Sequence, residues 1–286
     1  MRKTLKILAL FILGFTLLSN ENASNEEIIK KEKEVAVIFK KLRKSKADED
    51  FIKFNREFKQ QLKKVILLDA AFTHPFDSLK TSMSTITSPD GEFRLFNWNV
   101  ETESGVNQFH CFILKKDGTV IELRDNHRLI NNPEIKTLSD KKWYGALYYK
   151  IIPLSRGKYT LLGWNGKDQI TTQKVIEAMS LGRRNVKFGL SIFDYPEERF
   201  NKKRVILEYS DEAYVSLKFY ETKSESQIVF SHLSPSTPQM EGYFQFYYPD
   251  LSYDRFVLKR GKWIFESDSE VKNPKSKMDN QYNTPE

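Results

Sequence analysis

From about residue 80 onward, the chain consists of short aromatic and β-branched runs separated by turn residues, which is typical of β-strands. Asp117-Gly118 separates two such runs, 109–114 and 119–123, and this dipeptide favours a tight hairpin. The runs leave little room for the crossover helices that parallel strands require, so neighbouring strands are expected to pair antiparallel. The sequence therefore predicts a mainly β protein of antiparallel, meandering sheets, either sandwich-like or partly propeller-like, with an N-terminal helical pair.

The remaining strands and turns follow from the same signals. Turns are predicted at 88–91, 155–158 and 260–261, where Pro or Gly occupies a turn-favouring position. The run Thr171–Met179 instead favours a short helix capped by a threonine. Strands are predicted at 93–100, 143–152, 159–164, 188–193, 204–209, 214–220, 227–230, 243–247, 255–258 and 263–265.

The segment before residue 72 has helical rather than strand periodicity. Two stretches place apolar residues three or four positions apart, which gathers them on one face of each helix. Asp48 is the expected N-cap of the second helix, and Pro75 ends the helical structure. We expect both apolar faces to pack against the core. The positions are Ile28, Val35, Ile38 and Leu42 in the first helix, and Phe51, Phe54, Phe58, Leu62 and Val65 in the second.

The first 23 residues have the layout of a secretory signal peptide. A positive start at 1–6 precedes an apolar run at 7–18, which is shorter than the roughly 20 residues of a membrane span. We therefore predict export to the periplasm or the cell exterior, with no transmembrane span in the mature chain. The expected division is a signal peptide at 1–23, a helical pair at 24–72, an antiparallel β-rich domain at 73–271 and a flexible tail at 272–286.

The positive charge of the chain is concentrated near its N-terminus. Lys and Arg total 46 against 38 Asp and Glu, which gives a formal net charge of +8. Residues 24–64 contribute 13 − 8 = +5, and residues 65–286 contribute only 30 − 29 = +1. A nucleic-acid-binding body carries its own basic face, so the nearly neutral body predicts no nucleic-acid partner.

The cysteine content limits the available chemistry. A single cysteine, Cys111, excludes an internal disulfide, a four-cysteine zinc site and an iron–sulfur cluster. Cys111 lies in an apolar run, which favours a buried inert thiol over a nucleophile. Its neighbour His110 points to the opposite face of a strand, so these two cannot form a dyad. Common hydrolase, phosphate-binding and dinucleotide motifs are missing, and we predict neither a metal nor a cofactor.

The alternative function is a hydrolase whose site forms only in the folded chain. The four histidines are scattered along the sequence, and a metal site could form from them only in the fold, with Asp77, Asp125 or Asp250 as carboxylate ligands. The segment 249–254 places two carboxylates in a predicted loop, and paired acids hydrolyse glycosides only at defined separations. The hydrolase hypothesis requires that at least two residues of one set meet in a pocket. That set is His74, His110, His232, Asp77, Asp250 and Asp254.

Several aromatic-rich segments resemble a family of exported proteins from Bacteroidota that has no assigned activity. They are Phe96–Asn99, Trp143–Tyr149, Tyr159–Trp164, Phe230–Pro235, Tyr243–Tyr247 and Pro249–Asp254. The resemblance implies export and a β-rich body, and it supplies no catalytic residue. Ser88-Pro89-Asp90-Gly91 is also similar to the start of a blade in TolB-like β-propellers, although a propeller needs the unit repeated.

The aromatic residues suggest binding rather than catalysis. Exposed rings can stack on a sugar or hold a peptide, whereas buried rings pack the core. We expect a non-enzymatic binding or envelope-associated protein whose partner is an unidentified ligand or an envelope protein; the sequence does not define its oligomeric state. A purely structural envelope partner would instead expose an apolar patch on the helical pair. The candidate ligand-binding residues are Trp98, Trp143, Tyr144, Trp164, His232, Tyr248, Asp250 and Tyr253.

Overall fold

The computed structural model describes residues 25–196 and 202–267. The predicted signal peptide and the predicted tail lie outside these residues. Two helices come first, α1 at 25–44 and α2 at Asp48–Ile66, so the predicted helical pair is confirmed. Their predicted apolar faces are buried or half-buried.

The prediction that Asp48 caps α2 is wrong. The N-cap residue is Ala47, which makes no side-chain capping bond, and Asp48 belongs to the first turn. Asp48, Glu49 and Asp50 still suit this end of the helix, because it carries the positive end of the helix dipole. Short 3₁₀-helices connect later elements, at Asp69–Phe72, Asp77–Leu79, His127–Leu129, Pro133–Ile135, Pro238–Met240 and Phe244–Phe246.

The first sheet, sheet 1, is an antiparallel meander of four consecutive strands in the order β1-β2-β3-β4. The predicted turns at 88–91 and Asp117-Gly118 join its strands, and both Gly91 and Gly118 adopt positive φ. Its strands are β1 (Ser84–Thr87), β2 (Phe93–Glu101), β3 (Asn107–Lys115) and β4 (Val120–Arg124).

The next segment supplies sheet 2, in which the prediction of a helix at Thr171–Met179 is wrong. That run lies in a long strand that bonds to a neighbour on each side and is buried on both faces. A strand buried on both faces lacks the apolar–polar alternation that identifies half-buried strands. The strands of this segment are β5 (Leu138–Ser139), β6 (Leu147–Ser155), β7 (Lys158–Asn165), β8 (Thr171–Leu181), β9 (Val186–Phe188), β10 (Phe193–Asp194) and β11 (Arg204–Ser210).

Sheet 2 has the order β5-β9-β8-β7-β6, with β11 also paired to β8. Strand β10 belongs to a third sheet, sheet 3, so the predicted strand 188–193 is split between two sheets. Sheet 3 has the order β10-β15-β14-β13-β12, and β10 pairs parallel to β15 over two residues. Its other strands are β12 (Leu217–Glu221), β13 (Ser226–Pro235), β14 (Tyr247–Lys259) and β15 (Lys262–Glu266).

Two further predictions in sheet 3 are wrong. The predicted strand 243–247 contains the 3₁₀-helix Phe244–Phe246, and the predicted loop 249–254 lies within β14. An irregularity in the β13–β14 register and a positive φ at Leu251 explain the turn-like sequence of that loop. A bulge lets a strand carry residues that a regular ladder disfavours.

The helices and sheets are stacked in successive layers. Alternate residues of β2 and β3 point to opposite faces, so Phe96 and Trp98 pack under the helices while Phe93 and Leu95 pack against sheet 2. The other face of sheet 2 shares a third core with sheet 3. The predicted mainly β class with antiparallel sheets is therefore confirmed. Neighbouring sheets share a core, as in a sandwich, and are built largely from meanders.

Candidate functional site

A cleft opens where the end of sheet 1 meets sheet 2. It consists of two adjoining cavities of about 720 and 580 Å³ that share Val106, His127 and Arg128, and we call it the inter-sheet cleft. Its walls come from the segment that follows β4, the turn between β7 and β8, and strand β11. A volume of this size lies in the range of small-molecule binding sites.

Asp125 and His127 form a hydrogen-bonded pair in this cleft. Oδ1 of Asp125 lies 2.8 Å from Nδ1 of His127 and also accepts the His127 backbone N–H at 2.9 Å. Oδ2 of Asp125 accepts the backbone N–H of Phe109 at 2.9 Å. Because a carboxylate only accepts, Nδ1 of His127 is the donor, and Nε2 of the neutral ring is left as an acceptor.

Nε2 of His127 is the exceptional atom of this cleft. It is buried, and within the described residues it has no hydrogen-bond partner. The side chain is 7% exposed, and the ring packs edge-on against Phe109 and Tyr144. Buried polar atoms in proteins are nearly always hydrogen-bonded, so an unpaired nitrogen on a residue that lines a cleft suggests a ligand contact.

Gly145 makes room for this pair. A Cβ atom on Gly145 would lie 2.5 Å from Oδ1 of Asp125, which is closer than van der Waals contact allows. The Gly145 N–H lies 3.3 Å from the same oxygen as a donor. A side chain at this position would therefore displace the carboxylate that orients His127.

The opposite wall carries a chain of polar contacts. The Tyr144 hydroxyl donates to Oε1 of Gln173 at 2.8 Å, and Nε2 of Gln173 donates to Oε2 of Glu208 at 2.7 Å. Lys167 Nζ completes the chain at 2.5 Å from Oε1 of Glu208. Burial raises the pKa of Tyr144 well above its ordinary value, so the hydroxyl stays protonated and remains a donor.

A buried ion pair contacts residues of this wall from the side away from the cleft. Arg204 Nε donates to Oε2 of Glu177, and both side chains are fully buried. The Arg204 guanidinium also donates to the Pro133 carbonyl at 2.5 Å and lies 5.5 Å from the centroid of the Tyr144 ring. Burial raises the pKa of Glu177, while the charge of Arg204 opposes that shift. The pair thus connects β8 and β11 to two residues that line the cleft.

The sequence-based site residues are dispersed in the structure. Trp98 and Trp143 are core residues, 1% and 0% exposed, whose indole N–H groups donate to Asn55 and Tyr148. A ligand cannot reach either ring in this conformation. Trp164 is half-buried and packs against Phe109. Of the predicted set, Tyr144 alone lines the inter-sheet cleft.

The other predicted residues gather on the outer part of sheet 3. Nδ1 of His232 lies 2.8 Å from Oδ2 of Asp254, and its Nε2 lies 3.9 Å from Asp250. Ser234 and Ser252 each donate to Asp250 at 2.7 Å. Partial desolvation raises the pKa of Asp250, but these hydrogen bonds and the charge of His232 outweigh it and hold the pKa at about 2. Tyr248 is half-buried and Tyr253 exposed on the same strand.

The hydrolase hypothesis is only partly met. His232, Asp250 and Asp254 come together, but His232 is 41% exposed on the sheet surface. His74 pairs with Glu32 at 2.6 Å beneath α1, and His110 bonds to Asn55 of α2. Asp77 is exposed and pairs with Lys80. Among the described residues, no three or more His, Cys, Asp or Glu side chains are grouped so that they could hold a metal ion.

The candidate ligand-binding residues chosen from the sequence do not include His127, Gln173 or Glu208. The Asp-x-His spacing at 125–127, directly after a strand, was a usable signal, because an Asp side chain can bond to the backbone two residues later. Cys111 fits its prediction: it is buried, and burial raises the pKa of its thiol far above the ordinary value. It faces sheet 2 while His110 faces α2, as expected for strand neighbours.

Comparison with known proteins finds no matching family model, no curated relative and no similar solved structure. Within the described residues, no helix is both long enough and apolar enough to cross a membrane. Exposed apolar side chains on the helical pair include Ile29, Val37 and Ile52. Single exposed apolar residues are normal on protein surfaces, so they do not define a docking patch.

Proposed function

We propose that this protein binds a small polar ligand in the inter-sheet cleft. The observation that carries the proposal is Nε2 of His127, a buried acceptor with no partner among the described residues, in a cleft of ligand size. The Asp125 carboxylate fixes the ring so that this acceptor keeps one direction. A preformed, oriented acceptor lowers the cost of ordering a site when a ligand binds.

Export remains part of the proposal. It rests on the positive start at 1–6, the apolar run at 7–18 and the resemblance to exported proteins of Bacteroidota. A fusion of residues 1–30 to a reporter that is active only outside the cytoplasm tests it separately. Reporter activity that persists after residues 7–18 are replaced by a polar stretch would contradict export through this segment.

The binding proposal can be tested with a pair of matched variants. His127→Ala removes the acceptor in the cleft, whereas His232→Ala removes a histidine that also pairs with an Asp but does not line the cleft. A library of small polar metabolites is screened for compounds that raise the melting temperature of the purified protein. The proposal expects stabilisation that His127→Ala abolishes and His232→Ala retains. Equal stabilisation of both variants would place the ligand elsewhere.

The Asp125–His127 pair also favours a second candidate function, hydrolysis. An Asp that orients Nδ1 leaves Nε2 able to act as a general base. Nε2 would take a proton from water while the water oxygen attacks an ester carbon, and the imidazolium would return that proton to the departing alkoxide. Binding is preferred because it needs only a hydrogen bond to Nε2, which is buried and has no partner among the described residues. Turnover of 4-nitrophenyl esters that is lost in His127→Ala and kept in His232→Ala would favour the hydrolase instead.

A further inference from the structure

We propose that the ligand of the inter-sheet cleft is an uncharged, hydroxyl-rich molecule of the carbohydrate class. The inference rests on the proposed binding function and specifies its ligand. The first step concerns hydrogen-bond polarity. In the neutral ring Nδ1 donates to Asp125 and Nε2 can only accept, so a ligand that bonds to the neutral ring must bring a donor to that atom. A hydroxyl, an amide or an amine meets that condition, whereas a carboxylate or a phosphate dianion does not.

The second step concerns charge. Each of the three carboxylates that line the larger cavity already has a partner. Glu208 accepts from Lys167 and Gln173, Glu134 lies 3.5 Å from Lys202, and Asp168 accepts the backbone N–H groups of Ile170 and Thr171. A cationic ligand would have to compete with these contacts, so a neutral donor fits better than an ammonium group.

The third step concerns the larger cavity, whose lining combines polar and apolar side chains. Alongside the polar groups, the larger cavity presents apolar side chains, namely Ile130, Pro133, Ile135, Ile206 and Phe244. A sugar ring has hydroxyl groups at its edge and C–H groups on its faces, so it can use both kinds of surface at once. Arg128 and Asn132 line the same cavity and supply donors for hydroxyl oxygens.

Isothermal calorimetry with defined probes tests this inference. The sugars are glucose, galactose, N-acetylglucosamine and maltose; spermidine, citrate and glycylglycine represent cations, anions and amides. We expect at least one sugar to bind the purified protein, and His127→Ala to weaken that binding by about tenfold or more, since loss of one good hydrogen bond corresponds to about that factor. His232→Ala should bind like the wild type.

Each of the other outcomes overturns either the carbohydrate class of the ligand or the cleft as its binding site. Binding of spermidine, citrate or glycylglycine but no sugar, with loss in His127→Ala, keeps the cleft as the site and overturns the carbohydrate class. A sugar that binds wild type and His127→Ala equally overturns the cleft itself. No binding of any probe at millimolar concentration overturns the carbohydrate class. Should His127→Ala unfold, as judged by circular dichroism, Tyr144→Phe replaces it, because it removes another polar atom of the same cleft.

Discussion

Asn55 on α2 lies 2.8 Å from Nε2 of His110 on β3, and the same carboxamide accepts the indole N–H of Trp98 at 3.1 Å. Because an amide nitrogen only donates, Nε2 of His110 is the acceptor in this contact. The contact therefore requires the neutral ring. The pKa of His110 falls to about 3, chiefly because the ring is buried; the charge of Lys59 adds to this shift and Asp125 opposes it. One amide thus joins the helical layer to sheet 1 and keeps a histidine neutral.

The first prediction is a pH dependence of stability that comes from His110. The unfolded state takes up a proton near pH 6.5, whereas the folded state does so only near pH 3. Between these values the unfolded state binds more protons, so the free energy of unfolding falls as the pH is lowered, by at most about 1.4 kcal/mol per pH unit from this group. Urea unfolding at pH 7, 6, 5 and 4 should show a steeper fall for wild type than for His110→Gln. If the free energy of unfolding fell equally with pH in wild type and His110→Gln, His110 would not be the source of the pH dependence.

The second prediction concerns Asn55 itself. Asn55→Leu leaves the Trp98 indole N–H and the His110 ring without their partner under α2. Each unsatisfied buried polar group costs about 1–3 kcal/mol, so with two such groups the free energy of unfolding should fall by at least that amount at pH 7. Gln60→Leu, at an exposed position of the same helix, is the control and should change it by less than about 0.5 kcal/mol. Equal effects of the two variants would mean that the carboxamide is not what anchors α2.

The third prediction concerns the buried pair Glu177–Arg204. Glu177→Gln leaves the Arg204 charge buried without its counter-ion, which typically costs about 3–5 kcal/mol. The double variant Glu177→Leu/Arg204→Met removes both charges and should be more stable than the single variant. Chemical unfolding of the three proteins measures the difference. A double variant that is less stable than Glu177→Gln would show that the contacts of Arg204 with Pro133 and Tyr144 matter more than its charge partner.

The sequence predicts best those elements in which local periodicity and burial agree. Phe58, Leu62 and Val65 recur at helical spacing and are all buried, so the helical face is apparent from the pattern alone. Strand β8 was predicted wrongly because both of its faces are covered, so its sequence lacks the alternation of apolar and polar residues. The partner of its buried Glu177 is Arg204, 27 residues later, and no local sequence pattern predicts that pairing.

The candidate site is harder to predict for the same reason. The inter-sheet cleft is assembled from the segment after β4, the turn after β7 and two strands, so its members are neighbours only in the fold. Aromatic content indicates neither exposure nor role: Trp98 and Trp143 pack the core, while Tyr144, beside Trp143 in sequence, lines the cleft. The Asp125–His127 pair is the exception, because both partners lie within three consecutive residues.

The fourth prediction concerns the acidity of Asp250. The Ser234 and Ser252 hydroxyls each donate to its carboxylate, and these bonds favour the charged form. Ser234→Ala/Ser252→Ala should therefore raise the pKa of Asp250 from about 2 towards its ordinary value. Carboxyl carbon chemical shifts measured through an acid titration report this pKa directly. Ser224→Ala, which removes an exposed hydroxyl of the β12–β13 turn, is the control and should leave it unchanged.

The fifth prediction concerns the reactivity of Cys111. The thiol is buried between sheets 1 and 2, and burial raises its pKa far above the ordinary value, so thiolate is scarce and reagents cannot reach it. We expect an aromatic disulfide reagent to label native protein only as fast as the core opens, and to label denatured protein at once. Ser224→Cys in a Cys111→Ala background places a thiol on the surface and should react rapidly without denaturant. Native Cys111 reacting as fast as that surface thiol would mean that the core between sheets 1 and 2 opens freely.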